Sequence, residues 1–477
     1  MSIVSTTVIS ALNNYNSIVP IVARDLVENG GRTAMAYYSS GEKTRNYEAK
    51  EKFIEANATS VLWYGAIPFI KKIFDLTAFK MSKLNPDVSL EYLNNKKDNV
   101  QNVENTLKRI KKGLLPASFI GNKKVGENKA PVLNAVEILQ DVSKKAASYK
   151  KLHISRNVIA TAIPTIISAF VLPKAIIALT QHNVDKKRNK ADYFNNVHYN
   201  DSLSFLKFKR AFVNHNQDNA TNKIAFRGIS DKLLASATSA QKTLLNDMVA
   251  VDIGISGSRV YYANKREKEA LKNRGTNAPY AAALEKIIRE GGFLYLVYFG
   301  GKHIKNFIDK FTKNKLDPLV LEDKNLSTEI KEKKFAKNPL KGLNEEQILD
   351  YVDKNIRDDK NVFIKYAKKT GMIKTVKDAN NKVYRNPLIW QDTKQLNQFF
   401  DTLASETKNL AKETGISLES VIADKAKIKR RGIYANLAVS TFAVCYILPK
   451  IMYTFRKWYT GSNEEPGIDK VIHTNLK

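Results

Sequence analysis

Cysteine is nearly missing from this chain: Cys445 is the only one in 477 residues. No intramolecular disulfide can form, and a zinc site built from several thiolates is excluded. Histidine is scarce too. His153, His182, His198, His215, His303 and His473 are scattered, and none has a second histidine or a carboxylate at convincing metal-ligand spacing. There is no G-x-S-x-G elbow and no H-E-x-x-H pair. GNKKVGENK at 121–129 resembles a phosphate loop but lacks the Gly-Lys-Ser/Thr ending that would reach a metal-bound nucleotide. The sequence therefore offers no catalytic residue, no metal ligand set and no cofactor motif.

Acidic residues are also short. Asp and Glu number 47 against 78 Lys and Arg, a formal net charge of +31 with pI near 9.7. Such a chain wants a negative partner: anionic lipid headgroups, an acidic protein surface, or nucleic acid phosphate. Lysine outweighs arginine, which favours diffuse attraction over the planar, two-pronged recognition that arginine provides. The N-terminus has no positive side chain before Arg24, and Asn13 and Asn14 interrupt its apolar stretch, so it makes a poor signal peptide.

What the chain does have is the same pattern twice. Residues 51–75 (EKFIEANATSVLWYGAIPFIKKIFD) align without a gap on 285–309 (EKIIREGGFLYLVYFGGKHIKNFID). Glu51/Glu285, Lys52/Lys286, Ile54/Ile288, Leu62/Leu296, Tyr64/Tyr298, Ile70/Ile304, Lys71/Lys305 and Asp75/Asp309 are identical. Later in each half an apolar run carries Leu-Pro-Lys: Leu172, Pro173, Lys174 and Leu448, Pro449, Lys450. Repetition over this length points to duplication of a whole unit, a common construction in membrane proteins.

The apolar segments are unequal. Residues 157–180 (NVIATAIPTIISAFVLPKAIIALT) carry Lys174 as their only charge, and 433–452 are similar, so both meet the roughly 20 residues a spanning helix needs. Residues 58–70 and 293–299 are shorter and read as marginal spans, re-entrant segments or buried core. Basic clusters, KAASYKKLHISR and KAKIKRR, stand just before the two long segments, the pattern of cytoplasmic flanks. Helix signals exceed strand signals throughout, with no sustained period-2 alternation and few hairpin turns.

The expected fold is thus all-α: a duplicated helical membrane protein with two apolar segments per repeat and basic cytoplasmic helical loops. Its expected organisation is a first repeat over 1–181, a polar linker over 182–222, a second repeat with a larger helical loop over 223–460, and a polar tail over 461–477. Residues 344–359 and 393–412 are expected helices of that larger loop.

Three sets of residues stand out. Asp25, Gly30 and Arg32 match Asp252, Gly257 and Arg259 in order and spacing, and each set reads as a helix stop at a glycine break with an arginine beside it. Such an arginine either pairs with a carboxylate of the fold or binds an anion. Lys174 and Lys450 fit membrane-interface lysines whose ammonium groups reach headgroup phosphate. Trp63, Tyr64 and Tyr298 fit either interfacial aromatics or the core of a soluble helix. Three functions remain open: a membrane scaffold whose basic loops hold anionic lipid or an acidic partner, a repeat-built transporter or channel, and a soluble basic nucleic-acid binder.

Overall fold

The computed structural model describes residues 3–13, 19–40, 45–89, 92, 98–121, 130–176, 178–179, 182, 244–268, 278–312, 314–412 and 417–461. Those residues are mostly helical, with four short strands. The linker expected over 182–222 and the tail over 461–477 lie almost wholly outside them. The chain forms two compact units, each drawing segments from both halves: one from Met1–Ala23, Ile70–Val158 and Tyr298–Ser440, the other from Arg24–Phe69, Ile159–Val297 and Thr441–Lys477.

Two large apolar cores stand among the described residues of the first unit. One is assembled from helices Leu326–Lys331, Glu345–Asn355, Val362–Lys369 and Thr393–Lys412, with Ile364, Tyr366 and Phe400 fully enclosed. Local sequence sets these boundaries. Asn344 accepts from the Gln347 backbone while Gln347 reaches back to the Asn344 N–H, a reciprocal cap that starts the helix where the chain needs it. Asn361 caps the next helix through the Ile364 N–H. Both expected helices of the larger loop are present, the second over the expected residues.

The other core gathers Phe79, Leu84, Leu115, Phe119, Leu139 and Tyr149. The first basic loop holds a helix, Asp98–Lys111, and an antiparallel pair, Ser118–Ile120 with Val132–Asn134, in which Phe119 faces Leu133. A second pair, Thr375–Lys377 with Val383–Arg385, lies in the larger loop. Strands this short show too few alternations to be read from periodicity. A buried charge cluster completes the unit. Asp353 accepts from Arg385 Nε at 2.7 Å and Nη2 at 3.0 Å, and from Arg109 Nη1 at 3.3 Å, while Arg109 also reaches Asp350 at 2.5 Å.

Among the described residues two helices are long and apolar enough to cross a membrane: Ala135–Ile176 and Leu418–Tyr459. The first is kinked at Lys145, where its basic flank begins and the backbone leaves helical geometry. Each also contains a π turn, Ile167–Val171 and Ala443–Ile447, immediately before Leu-Pro-Lys. The N–H of Leu172 reaches back to the Ile167 carbonyl and that of Leu448 to Ala443. Proline has no N–H and crowds the preceding turn. The wider turn absorbs that crowding, and the helix continues past both prolines. Two further π turns, Leu62–Ala66 and Tyr295–Gly300, fall on the aligned repeat segments.

The glycine breaks expected at 25–32 and 252–259 do not exist. Val19–Ser39 and Leu244–Lys268 are continuous helices that pass through Gly30 and Gly257. Glycine costs an exposed helix about 1 kcal/mol per residue, which packing easily outweighs. The packing is visible at the neighbouring glycines. A Cβ on Gly31 would lie 2.7 Å from Cys445 Sγ, and one on Gly254 would lie 2.5 Å from Thr165 Cγ2. Glycine is used there for close helix approach, as between membrane helices.

Candidate functional site

Residues of the second unit on helices Val19–Ser39, Arg45–Val61, Leu244–Lys268 and Ala278–Leu294, together with the last helix Leu448–Thr460, line a partly open cavity. Helical spacing explains its charges. Glu48, Lys52 and Glu55 recur at i, i+4 and i+7 on one helix; Lys286, Glu290 and Phe293 do so on another, so each set shares a face.

The charges form two linked groups. Arg259 is the centre of the first. Its Nε lies 2.8 Å from Glu55 and its Nη1 donates to Glu290 at 2.8 Å. Lys52 meets Glu55 at 3.0 Å, and Arg289 meets Glu290 at 3.0 Å. Burial alone would raise both carboxyls. Arg259 and its basic neighbours overcome that, holding Glu55 well below the usual range and Glu290 at about 2. Arg456 is the centre of the second group. It grips Glu285 in two-pronged fashion, Nη2 at 2.7 Å and Nε at 3.2 Å, and Tyr459 donates to the same carboxylate at 3.1 Å. Arg456 Nη1 also lies 3.9 Å from Glu48, which accepts from Ser40 at 2.6 Å.

Arg32 differs from these. It lines the cavity half-buried, its guanidinium carbon 4.0 Å above the centre of the Phe293 ring. Among the described residues it has no ion pair and no hydrogen bond. Asp25 and Glu28, earlier on its helix, act on it electrostatically, yet Asp25 takes its hydrogen bond from Ser60 and Glu28 Oε1 has no hydrogen-bond partner.

The matched sets therefore diverge. Arg259 is locked between two glutamates, with Asp252 adding an electrostatic pull, whereas Arg32 faces open space. Gly30 and Gly257 have nothing within 4 Å of a would-be Cβ. Lys174 is exposed; Lys450 is exposed too and reaches the Tyr446 hydroxyl at 3.3 Å. Trp63 is buried, edge-on to the half-buried Tyr64, and Tyr298 lies in the π turn Tyr295–Gly300. The sequence reading did not single out Glu55, Arg289, Glu290 or Arg456. The charged i, i+4, i+7 faces were the available signal.

No protein-family model matches this chain, and no curated protein or solved structure is similar to it.

Proposed function

We propose that this chain is a duplicated integral membrane protein of structural or scaffold type, whose basic extramembrane region faces the cytoplasm and engages anionic lipid. An exposed apolar stripe carries the reading. Ile159, Ile163, Ile166 and Phe170 recur at helical spacing along one face of the first long helix and are 39%, 41%, 53% and 52% exposed. Val439, Phe442 and Tyr446 repeat the pattern on the second, with Ile447 and Ile451 beside them. A soluble protein buries such a stripe, because each Å² of apolar surface left in water costs about 25 cal/mol. Hydrocarbon covers it at no such cost.

Reciprocal packing supports the duplication. The first half's Gly31 meets Cys445 in the second half's span, and the second half's Gly254 meets Thr165 in the first half's span. Four of the five π turns among the described residues stand at matching places in the two halves; Asp75–Phe79 has no counterpart in the helix Gly301–Thr312.

Part of each basic flank serves the fold itself. Arg156 pairs with Asp75 at 3.0 Å, Lys429 with Asp309, and Arg430 with Glu322 at 3.1 Å. Lys151, Lys427 and Arg431 stay exposed for headgroups. The sidedness is testable by adding single cysteines at the exposed Lys112 and Lys341 in a Cys445→Ala background. A membrane-impermeant maleimide should label both only after lysis. Labelling of either in intact cells would overturn the cytoplasmic placement.

A further inference from the structure

We propose that the cavity beside Arg32 is a specific site for one anionic phospholipid, with the lipid phosphate on the Arg32 guanidinium and an acyl chain against the wall formed by Val444, Leu448, Pro449 and Met452. The proposal rests on the membrane reading above and adds a site and a ligand class to it.

Charge balance picks out the head. Five cations line the cavity against three glutamates. Arg259, Arg289, Arg456 and Lys52 are held by Glu55, Glu290 and Glu285. Arg32 is the cation left without a direct counter-ion among the described residues. Asp25 and Glu28 act on it electrostatically without bonding it, so its N–H donors are open to an anion. Its guanidinium sits over the Phe293 ring in the cavity, and a planar guanidinium suits the paired oxygens of a phosphate.

The wall picks out the tail. Val444, Leu448, Pro449 and Met452 are apolar, and all belong to the segment that reads as the second span. They offer no hydrogen bonds to a sugar, a base or a peptide backbone. They suit a hydrocarbon chain that continues into the bilayer. The other lining cations also disfavour a zwitterionic headgroup, whose ammonium would be brought among arginines.

The test titrates the full-length chain, purified in a non-ionic detergent, with short-chain phosphatidylglycerol and follows binding by native mass spectrometry and calorimetry. The expected result is one saturable site, bound at least tenfold more weakly by Arg32→Gln, with Arg32→Lys recovering part of the affinity. Phosphatidylcholine of the same chain length and glycerol 3-phosphate without chains should each bind at least tenfold more weakly than phosphatidylglycerol. Thermal unfolding of Arg32→Gln in the absence of lipid should match wild type, which separates lost binding from lost fold. Equal binding by Arg32→Gln would overturn the proposal. So would equal binding of phosphatidylcholine, or of glycerol 3-phosphate alone. Release of the wild-type chain from membranes by alkaline carbonate would remove the membrane reading and this site with it. Retention in membranes combined with unchanged lipid binding by Arg32→Gln would remove the site alone.

Discussion

Arg259 Nε lies 2.8 Å from Glu55 Oε1, joining a helix of the second half to a helix of the first. The same guanidinium holds Glu290 at 2.8 Å, so one cation serves a buried and a half-buried carboxylate. Removing it leaves Glu55 to Lys52 and Glu290 to Arg289. Arg259→Gln should destabilise the fold by about 3–5 kcal/mol, the usual cost of breaking a buried pair from one side. Arg32→Gln, at the matched position, should change stability by less than about 1 kcal/mol because no direct partner is lost. Thermal unfolding of the two variants side by side checks the contrast. Equal losses would contradict the different roles given to these arginines.

The same cluster sets an acid limit. Glu290 titrates near 2 in the folded protein, below its ordinary value of 4.5, and Glu55 is displaced in the same direction. A depressed carboxylate contributes stability that is fully present above its unfolded value and is lost as pH falls toward the folded one. Melting temperature should hold steady from pH 7 to about 5, then fall steeply between about 4.5 and 2. Glu290→Gln should start lower at pH 7 and fall less steeply on acidification. Parallel acid limbs for the two proteins would show that Glu290 is not a principal contributor.

In the first unit, Asp353 takes two bonds from Arg385 and one from Arg109 and is fully enclosed. Asp353→Asn keeps the shape and removes the charge, leaving the buried Arg385 guanidinium without its carboxylate and Arg109 with Asp350 alone. A loss of about 3 kcal/mol or more is expected, read from chemical denaturation. A shift within about 0.5 kcal/mol would contradict the cluster's structural role.

The glycines separate packing from propensity. Gly257→Ala meets open space and should stabilise its helix by up to about 1 kcal/mol. Gly254→Ala places a Cβ 2.5 Å from Thr165 and should destabilise by about 1–3 kcal/mol. If both changes proved neutral, the close approach of these helices would be wrong.

The helical class, the two long apolar helices and the capped helices of the larger loop were legible because each depends on local pattern: length, apolarity, or an Asn-x-x-Gln cap. The glycine breaks were misread because Gly30, Gly31, Gly254 and Gly257 look alike in sequence, and only the facing side chain decides whether a glycine ends a helix or admits a neighbour. The short strand pairs escaped because three residues cannot show a period. Arg32 and Arg259 were legible as a pair, but not their difference. That difference lies in Glu55 and Glu290, brought to Arg259 from distant parts of the chain.

Alkaline carbonate extraction tests the central claim most directly. Membranes from cells producing the full-length chain are washed at high pH and separated into pellet and supernatant. The account predicts that the chain stays in the pellet and leaves only with detergent. It further predicts that replacing Ile163, Ile166 and Phe170 together by aspartate moves the chain to the supernatant or to degradation, because charge is costly at bilayer depth. Quantitative release of the folded wild-type chain into the carbonate supernatant would contradict it.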